Sequence, residues 1–125
     1  MLFYLFYCVS KTSHTKCYHI SCKRKKEKIY LSEITLPASL TEIGESAFEE
    51  CSSLKSITIP ASVEKIDTSA FAWCRSLTHV TILNPKIKIN SRAFSFCSSL
   101  KRITVLREAT IASGAFPDGC YVMVQ

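Results

Sequence analysis

Apolar residues recur along this chain at a fixed step instead of gathering in one long run. Leu31, Leu54, Leu77 and Leu100 stand 23 residues apart. Ile34, Ile57, Val80 and Ile103 follow three positions later, and Leu36, Ile59, Ile82 and Val105 two positions beyond those. Apolar residues two apart predict a short strand with one face turned inward. The same step carries Ile43, Ile66 and Ile89, then Ala47, Ala70 and Ala93, then Phe48, Phe71 and Phe94, and finally Cys51, Cys74, Cys97 and Cys120. In the fourth copy Ile111 and Phe116 arrive one residue early and Cys120 regains the full step, so a one-residue deletion is expected in the connector after the fourth strand.

Ala47, Phe48, Cys51 and Leu54 fall at i, i+1, i+4 and i+7, a spacing that predicts a short helical turn. Ser46, Thr68, Ser69, Ser91 and Ser113 precede these turns, where a hydroxyl can answer exposed backbone N–H groups. Each copy therefore reads as strand, connector, helical turn and return. One copy buries too little apolar surface to offset the ordering of its own backbone, so neighbouring copies must cover each other. The predicted fold is an α/β solenoid of about four 23-residue coils over residues 29–125, each with one short parallel strand and one short helical turn. The closing YVMVQ reads as the start of a fifth strand, with Met123 one period after Leu100.

The phrases LSEITLPASLTEIGESAFEECSSL and LKSITIPASVEKIDTSAFAWCRSL both fit LxxIxLPxxLxxIGxxAFxxCxxL. Over residues 29–123 the chain thus resembles the BspA-type leucine-rich repeat, also called the Treponema pallidum type. That resemblance implies a leucine-rich repeat array with a parallel sheet on one face. It also implies a role like that of surface antigens and adhesins of mucosa-associated bacteria and protozoa, binding host or matrix proteins at the cell surface. The third copy departs from the pattern at NPKIKIN, where a Gly is expected, and residues 1–28 match no part of it.

Charge changes the picture at one end only. The 125 residues carry a net charge of +6, and residues 11–28 alone supply it, through Lys11, Lys16, Lys23, Arg24, Lys25, Lys26 and Lys28 against Glu27. Residues 1–28 therefore form an apolar start and a basic leader, expected to be poorly ordered, and the electrostatics of the repeats are separate from it. KRKKEK at 23–28 reads as a solvated charge run; without interleaved aromatics, nucleic-acid binding is not expected. A nuclear-targeting leader on an intracellular scaffold, in the cytoplasm or nucleus, is the alternative it leaves open. The apolar run Leu2–Val9 is too short to span a bilayer and lacks a preceding base, which makes it an imperfect signal peptide. Neither end of the array shows a polar cap. A piece of a longer array that self-associates through its ends is the favoured reading; the alternative is a leader folded back with Phe3, Tyr4, Phe6 and Tyr7 as a cap.

Candidate chemistry is sparse. The ladder of Cys51, Cys74, Cys97 and Cys120 is expected to hold four free thiols packed as small hydrophobes. His14, Cys17, His19 and Cys22 are zinc-ligand types, but they crowd within nine residues, whereas a tetrahedral site draws pairs from separated segments. There is no nucleophile elbow, phosphate loop or HExxH, and Gly44, Gly114 and Gly119 are scattered. No enzyme activity, cofactor, metal or small-molecule substrate is expected. What remains is the outer side of the strands, in three columns: Glu33, Ser56, His79 and Arg102; Thr35, Thr58, Thr81 and Thr104; and Pro37, Pro60, Leu83 and Leu106. From these, Glu33, Thr35, Ser56, Thr58, His79, Thr81, Leu83, Arg102, Thr104 and Leu106 make the candidate partner-binding face. Its function is expected to be recognition of a protein ligand.

Overall fold

Each 23-residue step closes into a coil with three sides, and equivalent sides of successive coils stack. In this computed structural model residues 32–125 are described throughout. Of residues 1–31 only the backbone of four short strands is described, β1 (Tyr7–Val9), β2 (Lys16–Tyr18), β3 (Lys23–Arg24) and β4 (Glu27–Lys28). β1 pairs antiparallel with β2, and β3 with β4.

The first side is the expected strand, once per coil: β5 (Glu33–Ile34), β7 (Ser56–Ile59), β9 (His79–Ile82), β11 (Arg102–Val105) and β13 (Tyr121–Val124). Side chains alternate as the period-two spacing requires, with Ile57, Ile59, Val80, Ile82, Ile103 and Val105 buried. The second side was expected as a plain connector and is a strand as well: β6 (Glu42–Ile43), β8 (Lys65–Ile66), β10 (Lys88–Ile89) and β12 (Thr110–Ile111) pair in parallel, and β2 joins at β6.

The third side corrects the sequence reading. No α-helix forms among the described residues, and the segment around Ala47 and Phe48 is a run of tight turns. The reason lies in the backbone. Ser46, Ser69 and Arg92 take φ of 54°, 58° and 58°, and Glu50, Trp73 and Phe96 take 59°, 64° and 59°. A left-handed residue at every fourth position stops a helical turn from propagating. The N–H groups then alternate in direction. Those of Ala47, Glu49 and Cys51 donate back within the coil to Gly44, Ser46 and Phe48, while those of Ser46, Phe48 and Glu50 donate to Thr68, Ala70 and Ala72 of the next coil. Carbonyls of the neighbouring coil thus do what serine caps were expected to do.

Gly114 and Gly119 are not scattered either. With φ of 71° and 78°, they occupy the fourth coil's two left-handed positions. Three aromatic rings run up the core: Phe48, Phe71 and Phe94 are fully buried and stacked at 5.0 Å, and Phe116 continues the column 5.5 Å beyond Phe94.

Register shows where the period is broken. Ile89 pairs with Ile111, a 22-residue step, so the deletion lies after β11 as expected. Arg102 pairs with Tyr121, a step of 19, where the period implied 23. Met123 therefore faces Thr104 and not the Leu100 position. Ser98, Ser99, Leu100 and Lys101 separate Cys97 from β11, whereas Cys120 leads into β13 directly. In the third coil Asn84 replaces the usual proline turn. Its side chain donates to Val63 O at 2.8 Å and accepts from Lys86 N–H at 2.9 Å, and the inward residue becomes Ile87.

One ladder is interrupted. The first side divides into β5-β7-β9 and β11-β13, while the second side runs unbroken through the same coils. Lys55 N–H donates to Ser32 O, Thr78 N–H to Lys55 O and Tyr121 N–H to Lys101 O, each at 2.9 Å. Among the described residues no such bond joins Lys101 N–H to Thr78 O.

Candidate interaction face

The strand side places the candidate residues in rows across coils. Parallel register sets Glu33 beside Ser56 and Ser56 beside His79, and it sets Thr58 beside Thr81. Glu33, Thr35, Thr58, His79, Thr81 and Arg102 are exposed, as is Leu83 at 50%. Ser56, Thr104 and Leu106 are half-buried. The row is paired continuously through β9, and the ladder is interrupted before Arg102 and Thr104.

Two shallow clefts mark this side, and they differ in charge. A cleft of about 440 Å³ near the first coils is lined by Glu33, Leu36, Pro60 and Leu83 among others, and holds no basic residue. A second, of about 490 Å³, lies between β9 and β11 where the ladder is missing. His79, Lys101 and Arg102 line it with Thr78, Thr81 and Thr104, and it holds no acid. Thr78 Oγ1 donates to Lys55 O at 3.1 Å and meets His79 Nδ1 at 2.8 Å, which steadies the imidazole at the rim.

The turn side carries a feature that the periodic reading passed over. Trp73 and Phe96 stack at 4.0 Å on the outside of the coils, Phe96 is 56% exposed, and the Arg75 guanidinium sits 5.2 Å from the Trp73 ring centroid. The signal for this patch was the drifting column Glu50, Trp73, Phe96 and Gly119, which includes the chain's only Trp.

Polar chemistry elsewhere is structural. Lys65 donates to Glu42 Oε1 and Asp67 Oδ2, both at 2.9 Å. Those two hydrogen bonds, led by Asp67, raise the Lys65 pKa. Burial alone would push the Asp67 carboxyl up, but the bonds it accepts from Lys65, the Thr68 N–H and Asn90 outweigh burial and hold it below the usual carboxylate range. Cys74 and Cys97 donate to Phe48 O at 3.2 Å and Phe71 O at 3.0 Å. The Cys97 contact and burial push the Cys74 thiol far up, so it is no nucleophile at neutral pH.

The ladder carries three free thiols, Cys74, Cys97 and Cys120, and not four, because Cys51 is disulfide-bonded to a partner outside the described residues. The His14, Cys17, His19 and Cys22 cluster and the 23–28 basic run also lie outside the residues whose side chains are described. Among the described residues no group of three or more His, Cys, Asp or Glu is placed to hold a metal ion, and no helix is long and apolar enough to cross a membrane.

Comparison with known proteins agrees with this geometry. The family profile described as BspA type Leucine rich repeat region (6 copies) matches residues 18–123, so the match begins before residue 29, where the sequence pattern was read to start. A leucine-rich repeat protein from Bacteroides capillosus is similar in structure, with a TM-score of 0.72, 27% identity, and coverage of 89% of this chain and 87% of that one. A leucine-rich repeat protein from Bacteroides ovatus shares the fold, with a TM-score of 0.59 at 19% identity, over 100% of this chain and 37% of that one. No curated protein matches the chain significantly. With its 23-residue coils, its strand ladder and a profile covering most of its length, the chain belongs to the BspA-type leucine-rich repeat family.

Proposed function

We propose that the chain is a non-enzymatic recognition module that docks a protein ligand on its strand side. Leucine-rich repeats of this family serve as protein-interaction modules, and the finer reading is recognition of a host or matrix protein at the cell surface. One observation carries it most directly. The buried residues of the coils hardly vary, whereas the outward row Glu33, Ser56, His79 and Arg102 changes at every step, in register from Glu33 to His79. Such a surface binds by area and by the pattern of side chains it presents.

Flow cytometry on intact cells expressing the tagged full chain tests the location, with surface labelling expected and a purely internal signal supporting an intracellular scaffold instead. Thr58→Glu combined with Thr81→Glu tests the face. The pair places two bulky anions at exposed positions and is expected to abolish ligand capture while leaving thermal stability unchanged. Capture that survives the double variant moves the binding site off the strand side.

A further inference from the structure

Resting on the strand-side reading above, we infer that the cleft between β9 and β11 receives carboxylates of an acidic segment of the protein partner. Three features converge there. Its rim holds Lys101, Arg102 and His79 with no acidic residue among the lining, so the local charge is uncompensated. Its walls are strand edges that face each other without a ladder. Among the described residues the Lys101 N–H has no backbone acceptor, although its counterparts on Lys55 and Thr78 donate to the preceding coil. A carboxylate is an acceptor-only group that suits such an N–H donor together with a guanidinium fork.

The opposite end of the same side argues for a peptide over a uniform polyanion. Glu33 lines the other cleft beside Leu36, Pro60 and Leu83, and a sulfated glycan or nucleic acid lying along the face would meet this acid and these apolar groups. An extended protein segment has no such conflict, because its charge varies residue by residue. Laddered coils repeat at about 4.8 Å, so Glu33 and His79 are separated by about 10 Å and Arg102 lies across the open gap beyond, a span that an extended segment covers in roughly four or more residues. The partner motif is therefore acidic over the third and fourth coils, with an apolar or basic residue about four or more positions away over the first two.

The experiment selects a phage-displayed random dodecapeptide library on the immobilised full chain, with the selected peptides measured by fluorescence anisotropy. Enriched peptides are expected to carry paired Asp or Glu with a nearby apolar or basic residue. Replacing their acids by Asn or Gln should weaken binding about tenfold, as loss of charge-assisted hydrogen bonds does. Lys101→Gln with Arg102→Gln, both exposed and outside the core, should produce the same loss, and heparin should not compete. Selection of peptides without acids, indifference to the double Gln variant, or competition by heparin overturns the inference. If binding is lost in Thr58→Glu/Thr81→Glu but kept in Lys101→Gln/Arg102→Gln, the cleft inference fails and the strand-side reading stands. Binding kept in both variants defeats the two together.

Discussion

The turn side and the strand side of each coil obey opposite rules, although both are built from the same 23 residues. On the turn side Ala70, Phe71 and Cys74 are fully buried, each Phe N–H donates to the next coil, and each ring stacks on its copies. None of these buried residues can change without disturbing two neighbours. On the strand side the inward half is equally fixed, but every second residue faces solvent, and one ladder is left open between β9 and β11. Register is held by the turns and the second sheet, which frees the first sheet to vary and to part.

Phe71→Ala should break that comparison most severely. The ring is fully buried and sandwiched at 5.0 Å between Phe48 and Phe94, so its removal leaves a cavity that the stacked coils cannot collapse around. A loss of about 3–5 kcal/mol is expected from urea unfolding, against a change within about 0.5 kcal/mol for the exposed Thr81→Arg. Equal effects would mean that the two sides are not mechanically distinct.

The cysteines give a smaller effect on the same side. Cys97→Ala removes a buried thiol and its hydrogen bond to Phe71 O, for a loss of about 1–2 kcal/mol. In the unmodified chain Cys120 is half-buried, whereas Cys74 and Cys97 are fully buried. Among these three thiols, maleimide labelling read by mass spectrometry should therefore modify Cys120 first and reach Cys74 and Cys97 only as the coils unfold. Early labelling of Cys74 would show that the turn side opens locally.

A third expectation concerns the left-handed positions. Arg92 has φ of 58° where the fourth coil uses Gly114 at 71°, and a Cβ on Gly114 would meet nothing within 4 Å. Conformation alone, not space, separates the two residues. Arg92→Gly should stabilise and Gly114→Ala destabilise, each by about 0.5–1 kcal/mol, because strain in the folded state is partly offset by the freedom glycine adds to the unfolded chain. Thermal midpoints shifting in the same direction would refute the assignment.

How much of this was legible in the letters follows from what each side does. The inward residues of β7, β9 and β11 could be read because a period of two and a period of 23 leave few alternatives. The absent helix could not, since Ala47, Phe48, Cys51 and Leu54 fit a helical spacing and only the φ values at Ser46 and Glu50 rule it out. Ile43, Ile66 and Ile89 were visible as a column, but two-residue strands are too short for alternation to show. The step of 19 into β13 was hidden because Cys120 keeps the period while the residues after it do not. The candidate face was legible as exposed columns. The open cleft within it was not, because hydrogen-bond continuity between coils leaves no mark on composition.

The mildest test lies on the second sheet, which stays continuous where the first divides. Asp67 accepts hydrogen bonds from Lys65, Asn90 and the Thr68 N–H, linking that ladder to the following coil. Its carboxyl is held below the ordinary value of 3.8, so it binds a proton less readily folded than unfolded. The stability it contributes is therefore fully present above that ordinary value and is lost as pH falls through the lower folded value. Lys65, raised above 10.5, contributes in the opposite sense: its share is present below that value and lost as pH climbs through the folded one. Both side chains are partly exposed, so the effect is small and screened by salt. Urea midpoints followed from neutral pH downward should fall less steeply in Asp67→Asn than in the unmodified chain, and the difference should shrink at high ionic strength. An identical acid profile in the two proteins would mean that the second sheet is held by its backbone ladder alone, and that the continuity distinguishing it from the first sheet owes nothing to Asp67.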